Sequence, residues 1–295
     1  MASPAGKLKR YVMPWLFLAP ALVLFIVFKF IPMIDAIRMS FYDVQPYLGD
    51  EWVGGENYAA VFSDSSFLGA IGNTVILAVG TTAGSMLIGM VLALLLEGTA
   101  KNLWVIRTAV FIPAVAAMAV VAEIWRVLMY PAASGPMNSL IGLFGFGPSE
   151  FLNSADSSMI SVLIVGIWKS APYDMMIILA GLAGVDRTLY EAAALDGAGP
   201  LRRVWSVTFP QLKGVLSILI TLAAIRGLRV FTEVFLLTNG GPNGATEVLM
   251  TLIYKLGLER GELGIASAGS VVLLVATVVL TVLVRAAGRK KKGAS

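Results

Sequence analysis

Six stretches of this sequence stay apolar for about 20 residues or more: about 14–34, 70–96, 104–129, 159–182, 214–237 and 264–285. At about 1.5 Å per residue, a helix of that length crosses the roughly 30 Å hydrocarbon core of a bilayer. Within hydrocarbon every backbone N–H and C=O must find a partner in the chain, and a helix supplies one locally. The pattern predicts an all-α polytopic membrane protein with six transmembrane helices in one domain, residues 1–295. Composition agrees, since AVILMFWYC make up 58% of the chain and charged residues only 14%. A soluble domain carries about 25% charged residues. One soluble core cannot hide so much apolar surface, which argues against a soluble enzyme and excludes disorder.

The chain has no Cys and no His. Disulfides, thiolate chemistry, Cys/His metal sites and histidine general bases are therefore excluded. The net charge of +4 reads as Lys and Arg in loops on the inner side of a membrane rather than as a nucleic-acid footprint.

Charge also orients the spans. With both termini in the cytoplasm, 14 Lys and Arg fall on the inside, counting Arg107 and Arg285 with the loops they border. The outside loops hold only Arg38, Lys255 and Arg260. That asymmetry is a positive-inside bias. The first run follows Lys7, Lys9 and Arg10, as a signal peptide would, but it is too long and no A-x-A-like site follows Ile34. It reads as a retained span. The longest outer segments, about 35–69 and 130–158, are polar and rich in turns. The basic tail at 289–292 suits either anionic lipid headgroups or a plain solubilising role.

Chemistry for driving transport is missing. No GxxxxGK[ST] loop is present to cradle ATP phosphates. The two halves do not repeat each other, as those of many secondary transporters do. Any pumping would draw on a partner chain or an ion gradient.

The segment 183–213, between the fourth and fifth runs, is the most informative. Residues 189–195 favour helix through three consecutive alanines. Asp196-Gly197 breaks that helix, Pro200 suits the first turn of a second, and Pro210 is expected to end it. A short helix, a glycine break and a second helix form either a compact docking knob or an ordinary interfacial loop.

Glu191-Ala192-Ala193, Gly197 and Pro210 in this segment resemble the EAA loop of ABC importer permeases. The wider match covers residues 190–198 and 205–210, and is similar to the binding-protein-dependent sugar permeases of the maltose and glycerol-3-phosphate type. Other stretches agree: Asn57-Tyr58 in the first outer loop, Asn73-Thr74, Trp125, Asn138, the Thr-Asn-Gly-Gly-Pro run at 238–242 and the start of the last run at Gly264.

The resemblance implies a type I ABC importer fold. This chain would be one of two pore subunits, paired with a second, different permease. Two copies of a cytoplasmic ABC ATPase would bind the ATP and Mg, and this chain would hold no cofactor and catalyse nothing. An extracytoplasmic solute-binding protein or lipoprotein would deliver a disaccharide, amino sugar or glycerol phosphate. The setting would be a prokaryotic cell (inner) membrane, with membrane lipid and no nucleic acid as surroundings. Tyr190, Glu191, Ala192, Ala193, Asp196, Gly197 and Ala198 would couple to an ATPase.

Ionisable groups at membrane depth are costly and mark cavities or partners. Lys29, Arg126, Lys169, Arg226 and Arg229 stand against Glu123, Asp174 and Glu233. Glu123 and Arg126 are spaced to pair on one helix. Lys169 and Asp174 flank Pro172, where a kink would free carbonyls. Arg226, Arg229 and Glu233 are expected on one helical face, lining the pore or pairing between helices. The rings of Trp168, Tyr173 and Phe231, with Trp125 and Phe235, are candidates to stack on a sugar. The excess of two cations weakly favours an anionic cargo. An ion-coupled secondary transporter or channel, and a membrane scaffold that recruits a partner through the loop, remain the rival readings.

Overall fold

The computed structural model describes residues 4–45, 47, 49–98 and 100–290, with the side chains at 4–12, 101, 284, 285 and 287–290 excepted. Lys7, Lys9, Arg10, Lys101, Arg285 and the basic tail at 289–292 therefore lie outside the described side chains.

Helix α1 (Pro4–Phe25) runs through a widened turn at Ile26–Phe30 into α2 (Ile31–Met39). The turn is i→i+5: the Ile31 N–H bonds the Ile26 carbonyl. Pro32, just beyond, has no N–H to give its own preceding turn, and the wide turn takes up the mismatch. A two-stranded ribbon, β1 (Tyr42–Asp43) and β2 (Glu51–Trp52), leads to α3 (Glu56–Ser63) and the long α4 (Ser65–Leu95). Asp64 starts α4 by accepting from the Ser66 N–H.

The third apolar run departs from the straight helix its composition predicts. It forms α5 (Lys101–Val115) and α6 (Met118–Leu128), which meet at 97°. Pro113 cannot donate to the preceding turn, and Ala116 and Ala117 are extended, with ψ of 137° and 134°. The chain continues through α7 (Pro136–Gly142) to α8 (Ala155–Leu182), which passes Pro172 as one helix.

Next come α9 (Arg187–Leu195) and α10 (Pro200–Arg203), then a widened turn (Val204–Thr208) and α11 (Phe209–Leu228). Pro210 was expected to end a helix, and it does not. The Phe209 N–H bonds the Val204 carbonyl across a second i→i+5 turn, so 200–228 is one continuous rod. That rod instead stops at Leu228, before the end of the fifth apolar run. Gly227 weakens the final turn, and the N–H groups of Arg229 and Val230 tighten onto the carbonyls of Arg226 and Gly227. The chain resumes with α12 (Thr232–Leu237), α13 (Leu249–Tyr254), a wide turn (Lys255–Glu259) and α14 (Leu263–Lys290). Among the described residues, five helices are long and apolar enough to cross a membrane, and the bent α5–α6 pair makes a sixth candidate.

The chain forms two compact units. The first comprises residues 1–63 and 253–272. Its α1 and α2 bury none of their described large apolar side chains; Phe17, for example, is 76% exposed. Lipid or other membrane helices must cover them. The ribbon pairs Tyr42 with Trp52, and Phe41 stacks on Trp52 at 5.6 Å. Buried Asn57 donates to the carbonyls of Ser40 (3.0 Å) and Tyr42 (2.9 Å), and the hydroxyls of Ser40 and Tyr58 meet at 2.7 Å. Gly264, at the start of α14, lies so close that a Cβ there would be 2.2 Å from the Tyr42 carbonyl oxygen.

The second unit comprises residues 64–252 and 273–295. Here α4 packs along α8, with α5 and α11 beside them. Buried Val121, Val165 and Val234 belong to one apolar cluster, and Met175, Ile178, Leu212 and Leu219 to another. Small residues let α4 and α8 approach closely: Gly80 faces Leu163 and Gly84 faces Ile167.

Candidate functional site

The first candidate is the loop helix α9. The Asp186 carboxylate accepts from the Thr188 N–H at 2.9 Å and caps the helix N-terminus. The Thr188 backbone and then its side chain, as hydrogen-bond donors, hold the Asp186 carboxyl below the usual carboxylate value. At the other end, the Gly197 N–H bonds the Ala194 carbonyl (3.0 Å) and the Ala198 N–H the Ala193 carbonyl (2.9 Å). That is a Schellman closure, and it places Gly197 at φ +75°, where a side chain is strained. The helix therefore ends on a backbone device that favours glycine at a left-handed position, not on the polarity of Asp196.

Around this closure, Glu191, Ala192 and Asp196 are exposed, while Ala193 and Ala198 are half-buried. Tyr190 ties α9 to the next segment through a 3.0 Å contact between its hydroxyl and that of buried Thr208. Leu195 is 90% exposed, and Leu201 and Trp205 are also open, with the Trp205 ring stacked on Phe209. An apolar, small-residue knob with a fixed end is thus presented outward.

The second candidate is a cavity of about 420 Å³ in the second unit, lined in part by Ser85, Arg226, Arg229, Phe231, Thr232 and Glu233. Arg226, Arg229 and Glu233 do not share one helical face, because α11 ends at Leu228. Arg229 has φ −106° and Phe231 φ −140° with ψ −61°. It is this break, rather than helical spacing, that brings all three to the cavity.

Behind the wall, fully buried Asp174 accepts from the Ser85 hydroxyl (2.7 Å) and from Arg226 Nη2 (3.1 Å). A carboxylate at membrane depth is held by such pairing. Arg226 also lies over the Tyr173 ring at 5.1 Å. Phe231 stacks on Phe235 at 5.1 Å, whereas Trp168 packs edge-on against Trp125 and is absent from the cavity lining. Sequence reading missed Ser85, together with Thr81 and Thr82 of the same lining. Their only signal is a run of hydroxyls inside an apolar helix, and packing of α4 on α8 and α11 gives it meaning.

Lys169, Arg126 and Glu123, the other span charges of this unit, have structural partners. Lys169 Nζ donates to the carbonyls of Pro113 (3.2 Å) and Ala116 (2.8 Å) at the α5–α6 bend. Arg126 bonds Glu123 at 2.9 Å and also the Leu236 carbonyl. Several resemblance residues serve as struts. Asn73 donates to the carbonyls of Gly244 and Glu247, Thr74 accepts from the Leu249 N–H, and Thr238 meets Thr246 at 2.7 Å. Asn138 donates to the carbonyls of Tyr130, Pro131, Ala132 and Ser149, which ties the two ends of its loop together.

Residues 85–293 match the family model described as "Binding-protein-dependent transport system inner membrane component". The chain belongs to this permease family. The matched segment contains the α9 loop and every charged residue of the cavity. The permease is 30% identical over 287 residues to the trehalose/maltose transport system permease protein MalF of Thermococcus litoralis, covering 97% of each chain. It is 31% identical to the sn-glycerol-3-phosphate transport system permease protein UgpA of Salmonella typhimurium, covering 96% of each. A chain in the crystal structure of a bacterial ABC transporter involved in the import of the acidic polysaccharide alginate superposes with a TM-score of 0.84 at 26% identity, covering 97% of the permease and 98% of that chain. With its apolar helices, the permease is a multi-pass membrane protein.

Proposed function

We propose that this permease is one of two pore subunits of an ATP-driven carbohydrate importer. The observation that carries the reading is the α9 knob, whose Schellman closure at Gly197 falls on the family's EAA segment and within the matched region. Tyr190, Glu191, Ala192, Ala193, Asp196, Gly197 and Ala198 form the surface that seats in a cytoplasmic ATPase. Two such ATPase subunits bind and hydrolyse ATP with Mg, and their closure moves α9 and switches the pore between inward- and outward-facing states. This chain catalyses nothing itself.

The fold is that of a type I importer, with both termini in the cytoplasm of a prokaryotic inner membrane. The second pore subunit is a different permease, and a solute-binding protein delivers cargo from outside. The cavity bordered by Arg226, Arg229, Phe231 and Glu233 is this chain's share of the pathway. Names of relatives support a sugar or sugar derivative as cargo.

The test is ATP hydrolysis by the complex that co-purifies with the tagged permease in lipid nanodiscs, with the binding protein encoded nearby added. Hydrolysis stimulated by a cargo-loaded binding protein is the expected result. An intact, monodisperse complex without ATPase activity would favour the ion-coupled transporter instead.

A further inference from the structure

We infer that the cargo met by this cavity is an electrically neutral polyhydroxy compound, a sugar or sugar alcohol, and not a sugar phosphate or acidic sugar. The inference rests on reading the chain as a carbohydrate permease. Counted along the sequence, the spans carry two more cations than anions, which points to an anionic cargo. Traced through the structure, that excess is not at the cavity.

Lys169 is spent on the two carbonyls at the α5–α6 bend. Lys29 belongs to the first unit and lies over the Phe25 ring at 5.6 Å. Glu123 and Arg126 neutralise each other at 2.9 Å. Four charges remain at the cavity: Arg226, Arg229 and Glu233 in its lining and Asp174 directly behind Arg226. Two are positive and two negative.

Sign and position matter together. A phosphate or carboxylate moved from water into a membrane-buried site needs cations that are not already compensated. Arg226 is already compensated by Asp174, and the unpaired Arg229 shares the lining with the opposite charge of Glu233, so the wall offers an anion no net positive charge. Hydroxyl groups, which both donate and accept, need the mixed set this wall offers. Arg226 and Arg229 present N–H donors, Glu233 presents carboxylate acceptors, and Thr81, Thr82 and Thr232 add hydroxyls. Among the described residues neither Arg229 nor Glu233 is in an ion pair, so both are open to a ligand. Phe231, stacked on Phe235, adds apolar surface to the wall. The volume, about 420 Å³, lies within the roughly 300–1,000 Å³ of small-molecule sites.

The experiment uses the intact complex in nanodiscs with its binding protein, and a panel of neutral disaccharides and sugar alcohols beside sn-glycerol 3-phosphate and uronate oligosaccharides. ATP hydrolysis and uptake are read for each compound. A neutral member is expected to stimulate at least about tenfold more than any anionic one. A second arm changes the balance. Glu233→Gln leaves the lining one cation in excess and is expected to lower neutral-sugar uptake about tenfold, with Arg229→Gln doing the same from the opposite sign. Preferential stimulation by a phosphorylated or acidic compound overturns the neutral assignment and leaves the importer reading standing. So does hydrolysis that answers to no member of the panel, or uptake unmoved by both substitutions. An assembled complex with no ATPase activity at all overturns both.

Discussion

The ammonium of Lys169 on α8 donates to the Ala116 carbonyl at 2.8 Å, at the point where α5 ends and the chain turns through 97°. A helix C-terminus carries partial negative charge and unpaired carbonyls, so a cation there meets both needs at once. The second contact, to the carbonyl of Pro113, fixes the ammonium between two turns. Lys169→Met should leave both carbonyls without that donor and destabilise the fold by about 1.5–3 kcal/mol, the range for hydrogen bonds to a charged group. Thermal unfolding of the solubilised permease checks this. Lys169→Arg should recover much of the loss, and equal midpoints for Lys169→Met and the parent would count against the pin.

Asp174 and Arg226 form a pair in which one partner is buried and the other 44% exposed. Removing the arginine leaves a carboxylate with Ser85 as its remaining side-chain partner. Arg226→Gln should therefore destabilise by about 3–5 kcal/mol, the cost of an uncompensated buried charge. The double variant Asp174→Asn/Arg226→Gln should be more stable than Arg226→Gln alone. Chemical unfolding of the parent, Asp174→Asn, Arg226→Gln and the double variant gives the coupling, and additive losses would show that the pair is not acting as one.

Five of the six spans, the interrupted loop and the charged span residues were legible because each rests on local sequence. Apolar length marks a span whatever it packs against. Gly197 marks a helix end because a left-handed residue is required there. Pro32 and Pro210 each follow a wide turn by the same two residues, so Pro210, which reads as a stop, is absorbed within a rod as Pro32 is. The two breaks that shape the second unit were harder to see. The 116–117 bend depends on Lys169, more than 50 residues away, to hold its carbonyls. The stop at Leu228 has no proline and follows from Gly227 packed against Ala78. Spacing placed Arg226, Arg229 and Glu233 together on a helix; the structure places them together by breaking it.

Gly197 separates folding from coupling. A Cβ there would meet nothing within 4 Å, so the φ of +75° is the whole constraint. Gly197→Val should strain the closure by about 1–2 kcal/mol or more and shift the end of α9 without disturbing the spans. Gly197→Asn tolerates the left-handed region and should behave nearly as the parent. Cargo-stimulated ATP hydrolysis by complexes of matched expression and assembly reads the difference. Parent-like stimulation in the valine variant would detach this closure from coupling.

Gly264 poses the opposite case, with space as the constraint. An added methyl would sit 2.2 Å from the Tyr42 carbonyl oxygen and 2.9 Å from Asn57 Nδ2, the same amide that donates to that carbonyl. Backbone cannot yield as a flexible side chain can. Gly264→Ala should cost about 1–3 kcal/mol of overpacking and loosen the ribbon from α14. A single cysteine placed at exposed Trp52 reports this locally. Its labelling rate should rise in the alanine variant, while a cysteine at exposed Leu95 of the second unit should label as in the parent. Unchanged labelling at both sites would show that the first unit shifts to accept the methyl at no cost.

Asp186 gives a pH dependence with a defined sign. Its carboxyl is held low by the Thr188 backbone N–H and then by the Thr188 side chain, so the folded state favours the ionised form. A group depressed on folding contributes stability that is present above its unfolded value and is lost as pH falls through the folded one. The cap on α9 should therefore be unaltered from neutral pH down to the ordinary carboxylate range and weaken only below it. The Thr188 amide resonance, observed with threonine-selective labelling, should hold its hydrogen-bonded position over that upper range and move upfield under stronger acid. Asp186→Ala should place it upfield at every pH. A parent resonance that already titrates near neutral pH would mean that the carboxyl is raised, and the cap would then carry a different charge from the one drawn here.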